Sequence, residues 1–375
     1  MRGSFRLGRI AGIEIGVHFT WLFALFLITW SLAQGFFPQG YPGWSLATYW
    51  LTGIIAALLL FASVLVHEMA HSLVARARGL QVRGITLFIF GGVSSIESEP
   101  EKPQIELAMS IVGPLSSLAL AGIFWGLWQL VAVKTSPLAA MLSYLALVNA
   151  ILAGFNLLPG FPLDGGRVLR SILWRTSGNL TKATNIAATV GQIIGWLFIA
   201  FGVFQMFSGS FLNGLWIAFI GWFLTSAADA SRQEVTLKEH LSGVPVRDIM
   251  NPLPECVTPG KLVAEVVHEN FIQHGRRAVP VCQGGHLVGI VTLTDVKKLP
   301  QEKWAQTRVE EIMARLPLYT VGKDNDLNSA LKVMAQYGLN QVPVVDGDQL
   351  LGLLSRADII HFLQLSQELG MKRPS

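Results

Sequence analysis

Residues 61–75 read FASVLVHEMAHSLVA, which places two histidines and a glutamate inside a run that otherwise reads as a membrane helix. From Thr48 to Ala75, Glu68 is the only charged residue. A charge at the centre of a span costs about 3 kcal/mol on insertion scales, so an idle glutamate is unfavourable there. His67 and His71 are four residues apart and share one face of a helix, with Glu68 beside them. That spacing lets both imidazoles meet one Zn²⁺ at about 2.0–2.1 Å and leaves the glutamate able to take a proton from a metal-bound water. At ~1.5 Å rise per residue, His71 lies about 7 Å from Arg76, within the membrane but toward that end of the helix. The same five residues on a soluble amphipathic helix would read as a solvated charged face.

The rest of the chain supports a membrane setting. Its 375 residues are 51% hydrophobic with a mean hydropathy of +0.48, above what soluble globular composition explains. Residues 1–230 hold 20 of the 52 Asp, Glu, Lys and Arg, and residues 231–375 hold 32, so a lipid-solvated part precedes a water-solvated one. The first part has 12 basic and 8 acidic residues and the second 16 of each, which is no nucleic-acid signature. The only cysteines, Cys256 and Cys282, lie in the polar part and read as thiols in a reducing cytosol. The start, MRGSFRLGRIAGIEIGVHFTW, has a basic beginning, a long apolar continuation and no small-residue cleavage site, and reads as a retained first span.

A spanning helix needs about 20 mostly apolar residues. Segments 15–34, 48–75, 105–131, 138–158, 184–207 and 211–229 meet that length approximately. Arg2, Arg6 and Arg9 precede the first span, and Arg76, Arg78, Arg83 and Lys102 follow the second. Arg167, Arg170, Arg175 and Lys182 lie between the fourth and fifth, whereas the opposite loops contain only Lys134. The asymmetry predicts cytosolic N- and C-termini in a multi-pass protein of the cytoplasmic membrane. Between the second and third spans, RGITLFIFGGVSSIESEP is too short to cross, and Gly91-Gly92 divides it into two strand-like halves. A hairpin dipping into the bilayer edge against neighbouring helices is expected, with an amphipathic interfacial loop as the alternative.

The polar part repeats itself at a constant register of 63 residues. RDIM at 247 matches EEIM at 310, VPV at 279 matches VPV at 342, and GIVTLTDV at 289 matches GLLSRADI at 352. In each copy a helical segment, 262–274 or 327–337, precedes an apolar strand, a Gly-bearing turn and a second strand. Residues 243–365 resemble a pair of CBS motifs, regulatory units packed about a pseudo-twofold axis. The resemblance implies adenosine-nucleotide binding (ATP, ADP or AMP) at Gly289, Thr292 and Asp295 and at Gly352, Ser355 and Asp358, the Asp meeting ribose and the hydroxyl meeting phosphate. The alternative is that each hydroxyl and Asp only caps the following helix.

A catalytic zinc usually takes three protein ligands and keeps an open position for water. The best third candidate is Asp164, in NLLPGFPLDGGR at 156–167, the only acidic residue between Glu106 and Asp229. The span count puts it on the same membrane face as the histidines. Pro159, Pro162 and the Gly165-Gly166 pair would break a helix there and let the carboxylate turn inward. With both motifs, the first 230 residues resemble the site-2 proteases, zinc metalloproteases that cut transmembrane helices; one branch carries a C-terminal CBS pair in place of a PDZ domain. The resemblance implies one zinc per chain on His67, His71 and Asp164, Glu68 as general base, and Asn156 holding the substrate backbone or its oxyanion.

The expected architecture is therefore a polytopic α-helical membrane domain of about six spans with a re-entrant β-hairpin, followed by a cytosolic α/β CBS-pair domain. Its expected parts are 1–230, a linker 231–242, CBS motifs at 243–300 and 301–365, and a tail 366–375. The expected substrate is a single-span membrane protein, unwound locally and paired with the hairpin edge near Gly91 and Gly92. A homodimer through the CBS units is a further expectation. A CBS-gated transporter would instead want polar residues at several depths, and a non-catalytic scaffold would tolerate loss of Glu68 or a ligand. His18 reads as an interfacial histidine with a satisfied hydrogen bond, or else as a residue lining the site.

Overall fold

Ile13, Ile15 and Val17 are buried and alternate with partly exposed Glu14, Gly16 and His18, which is the two-residue period of a strand. The computed structural model describes residues 4–89, 91–96, 100–252, 255–347 and 349–369. In it, β1 (Ser4–Ile10) and β2 (Ile13–His18) form an antiparallel hairpin. The expected first span at 15–34 is thus displaced. Helix α1 (Thr20–Ser31) starts only after β2, and continues through a π-helical turn into α2 (Phe37–Gly40), giving an apolar stretch Thr20–Gly40. An averaged hydropathy cannot separate an alternating strand from the helix that follows it.

The chain divides into two units, 1–235 and 236–375. In the first, Ser45 accepts from the Thr48 N–H and caps α3 (Leu46–Ala77), the helix that carries His67, Glu68 and His71. Strands β3 (Val82–Phe88) and β4 (Gly91–Ile96) pair antiparallel, and β3 also pairs parallel with β2, so the sheet order is β1-β2-β3-β4 with β4 at an edge. The remaining helices are α4 (Pro103–Leu130), α5 (Pro137–Asn156), α6 (Asp164–Ser177), α7 (Leu180–Phe207) and α8 (Phe211–Leu241). Among the described residues, six helical stretches are long and apolar enough to cross a membrane. Their outward faces leave Phe23, Phe26, Trp196, Phe204, Trp216 and Trp222 exposed, the surface expected of a multi-pass membrane protein facing lipid.

Two expectations change here. Pro159 and Pro162 lie in the irregular stretch between α5 and α6, but Gly165 and Gly166 fall in the first turn of α6 instead of ending a helix. A Cβ at Gly165 would collide with the Leu157 and Leu158 carbonyls, and one at Gly166 with the Gly160–Phe161 peptide, so the pair lets this stretch fold tightly over the helix start. Residues 231–241, expected within a linker, extend α8, and no glycine or proline lies between Ser231 and Gly243.

In the second unit the elements are β5 (Asn251–Pro252), α9 (Val263–Val266) with a π-helical turn Val267–Gln273, β6 (Ala278–Gln283), β7 (His286–Thr292), α10 (Leu293–Lys297), α11 (Val309–Ile312), β8 (Ala314–Arg315), β9 (Val321–Gly322), α12 (Leu327–Gln336), β10 (Gln341–Asp346), β11 (Gln349–Ser355) and α13 (Arg356–Glu368). The hairpins β6–β7 and β10–β11 stand in the 63-residue register and join one sheet of order β6-β7-β11-β10-β9. Each copy buries its own apolar cluster, around Val279, Val281 and Val291 in one and Val342, Val344 and Leu354 in the other. The two cysteines are not free thiols: a bridge between Val257 and Val281 brings Cys256 beside Cys282, and they form a disulfide. The tail expected from 366 begins inside α13, and residues 370–375 lie outside the described residues.

Candidate metal centre

The i, i+4 spacing on α3 brings the two imidazoles together, and α6 delivers the third group from its first residue. His67 Nε2 and His71 Nε2 are 3.2 Å apart, and Asp164 Oδ2 lies 3.2 Å from the former and 3.1 Å from the latter. Ligands at about 2.0–2.1 Å around a tetrahedral zinc are about 3.3 Å apart. This triangle therefore fits one face of such a site. Both histidines are buried and Asp164 is nearly so. Burial works against ionising Asp164, but its contacts with His67 and His71 hold the carboxyl below the usual carboxylate range.

Helix α4 orients both rings from behind. His67 Nδ1 meets Ser117 Oγ at 2.9 Å, and His71 Nδ1 donates to the Met109 carbonyl at 2.5 Å, which leaves each Nε2 facing the shared centre. A Cβ at Gly113 would collide with His71 Nε2 and crowd His67 Nε2, so only glycine leaves room there. Ser110, Gly113 and Ser117 form a buried stripe of small residues on one face of an apolar helix. The small-residue stripe in SIVGPLSS is the sequence signal that points to these residues.

Strand β4 covers the glutamate. Ser94 Oγ donates to Glu68 Oε2 at 3.0 Å and lies 3.1 Å from Ser72 Oγ, so the hairpin packs against α3 as expected. Gly92 rests on Glu68, since a Cβ there would collide with the Glu68 Cγ. Gly91 has open space around it. Asn156 ends α5, half-buried, and its amide donates to the Leu152 carbonyl at 3.0 Å; among the described residues no hydrogen bond joins it to the His–Asp cluster. Asn149, about two turns earlier on α5, donates to Ser63 Oγ at 3.3 Å, one turn before His67. His18 has its partner in the Thr20 hydroxyl at 2.9 Å.

Arg170, counted above as a flanking charge, is buried. Its guanidinium lies over the Phe161 ring at 5.0 Å, and its Nε donates to Glu106 Oε1 at 2.7 Å, with Nη2 on the same oxygen. Glu106 is 1% exposed and Arg170 6%. The pair clamps α6, and with it Asp164, to the helix that orients the histidines.

In the second unit, Thr292 and Asp295 form a reciprocal cap at the start of α10, with Thr292 Oγ1 donating to Asp295 Oδ2 at 2.6 Å. Ser355 and Asp358 repeat the arrangement at α13, at 2.7 Å. The capping alternative is therefore real in both copies, yet it leaves cavity walls free. A cavity of about 610 Å³ contains Thr292 and Asp295, whereas the one containing Ser355 and Asp358 is about 90 Å³.

Comparison with known proteins finds relatives for both parts of the chain. Residues 55–134 and 127–198 match the model of peptidase family M50, and residues 246–302 and 309–365 each match the CBS domain. The chain is 37% identical to the Synechocystis protein sll0528, provisionally named a zinc metalloprotease, over 98% of this chain and 97% of that one. It is 31% identical to the zinc metalloprotease MJ0392 of Methanocaldococcus jannaschii, over 98% and 99% respectively. A solved site-2 protease from Methanocaldococcus jannaschii is 30% identical, covers 61% of this chain and 95% of its own, and has a TM-score of 0.42.

Proposed function

Because the chain belongs to the M50 zinc metalloproteases and carries a CBS-domain pair, we propose that it is an intramembrane endopeptidase that cuts single-span membrane proteins within their membrane segment. The single observation that carries this reading is the buried His67–His71–Asp164 triangle with Glu68 beside it, on a helix apolar enough to span. The residues hold the metal and handle the proton. When bound there, zinc supplies Lewis acidity and makes water nucleophilic near neutral pH.

Glu68 is the general base. Its Oε2 accepts from Ser94, which leaves Oε1 for the proton of the attacking water. Water adds to the scissile carbonyl carbon, the C–N bond breaks, and Glu68 returns that proton to the departing amine nitrogen. A helical substrate must first unwind, because its carbonyls are engaged in its own hydrogen bonds. The outer edge of β4, beside Glu68 and unpaired in the sheet order, supports pairing with the unwound segment near Gly91 and Gly92. Asn156 then contacts the substrate backbone after rotating off the Leu152 carbonyl.

The excess of Lys and Arg in the expected cytosolic flanks supports cytosolic termini and a cut near the cytosolic end of the substrate span. Nucleotide bound to the CBS pair modulates the reaction, supported by the Thr292 and Asp295 cavity, whose size suits a small-molecule ligand. Reconstitution with a single-span substrate and mass spectrometry of the products tests the reading. Product termini inside the span support it, and cleavage confined to the loops outside the membrane overturns it.

A further inference from the structure

From the two cavities of the CBS pair we infer that this chain binds one nucleotide, not two, because Arg276 fills the place that the second one would take. The inference rests on the nucleotide role proposed above and assigns it to a single half-site.

The 63-residue register makes the two half-sites directly comparable. The larger cavity is walled by Ile290, Leu318, Tyr319 and Leu339, with the Tyr319 ring stacked on Tyr337 at 3.5 Å. This is a flat apolar and aromatic wall of the kind that accepts a nucleobase. Thr292 and Asp295 stand at one side of it for the ribose and phosphate. Arg277, Lys297 and Arg315 supply three cations at the rim against the single carboxylate of Asp295. Arg277 and Lys297 are exposed and make no ion pair among the described residues, so they are free to meet a phosphate chain.

In the other half-site the register puts Glu255 where the first has Leu318, Cys256 where it has Tyr319, and Arg276 where it has Leu339. Arg276 lines the small cavity and Glu255 holds it, Nη2 to Oε2 at 3.5 Å. The aromatic plate is missing as well, since Cys256 is engaged with Cys282. The result is about 90 Å³ against about 610 Å³, and ligand pockets start at about 300 Å³. A nucleobase entering here would have to expel a guanidinium from its carboxylate and would find no ring among the described lining residues to stack on.

Calorimetry of the full chain in detergent micelles, titrated with ATP, ADP and AMP, reads the stoichiometry. One site per chain is expected, and two sites overturn the inference. Asp295→Ala should abolish binding while Asp358→Ala leaves it, and because both aspartates cap a helix through the same bonds, a folding defect would affect the two alike. Loss of binding in Asp358→Ala alone overturns the assignment. The double change Glu255→Leu with Arg276→Leu rebuilds the apolar wall and should raise the stoichiometry from one to two; if it stays at one, Arg276 is not what closes the site. Absence of heat with every nucleotide would overturn the nucleotide role itself, a result distinct from two wild-type sites.

Discussion

Replacing Arg170 by Met removes one partner of an ion pair that lies almost wholly out of water. Glu106 is 1% exposed, its Oε2 has no partner among the described residues, and its Oε1 accepts from Arg170. Stranding such a carboxylate costs about 3–5 kcal/mol, to which the lost stacking of the guanidinium on Phe161 adds roughly 0.5–2 kcal/mol. Replacing both partners, Glu106→Leu with Arg170→Met, leaves no buried charge and should recover most of that loss. Arg170→Lys keeps the charge but not the two-pronged contact, and should fall between. Because Arg170 and Asp164 share α6 while Glu106 shares α4 with Met109, Gly113 and Ser117, loosening the pair should also weaken zinc binding. Thermal unfolding and zinc competition with a chelator, read on the same four proteins, follow both effects. If Arg170→Met unfolds and binds zinc like the wild type, the clamp between these helices is not what places Asp164.

Gly113→Ala should lose zinc with the helices intact, because its Cβ would occupy the space in front of His71 Nε2; metal content and circular dichroism read the two separately. Ser117→Ala removes the partner of His67 Nδ1 and should lower zinc affinity about 10–100-fold in the same competition assay. Gly92→Ala should keep zinc and lose cleavage, since its Cβ would displace Glu68 and no ligand; equal loss of both would mean that the hairpin supports the metal instead.

The His67–His71–Asp164 triangle is legible in the sequence because its parts obey rules that act locally. An i, i+4 histidine pair follows from helix geometry, and the lone acid after the fourth span followed from counting membrane crossings. What supports the triangle was not legible. Ser117, Met109 and Gly113 act through packing of α4 on α3, and the small-residue stripe marks a packing face without saying what packs on it; Arg170 reads as any positive flank because only the fold sets Glu106 beside it. The N-terminal strands escaped because hydropathy averaged over a span-length window erases a two-residue alternation. In the CBS pair the repeat was plain in the sequence, but the difference between its halves lies at positions such as Arg276 and Leu339, whose role depends on which residues line a cavity. The disulfide likewise needed the pairing of Val257 with Val281 to bring its two ends together.

Whether Glu68 is the base of a zinc peptidase acting inside the membrane is tested by comparing purified wild type and Glu68→Gln on one reconstituted single-span substrate, with zinc measured on both. The amide keeps the shape and a hydrogen bond to Ser94 but cannot take a proton. Both proteins should hold one zinc per chain, and the variant should cleave about 10²–10⁴-fold more slowly. Equal cleavage at equal zinc content would contradict the assignment.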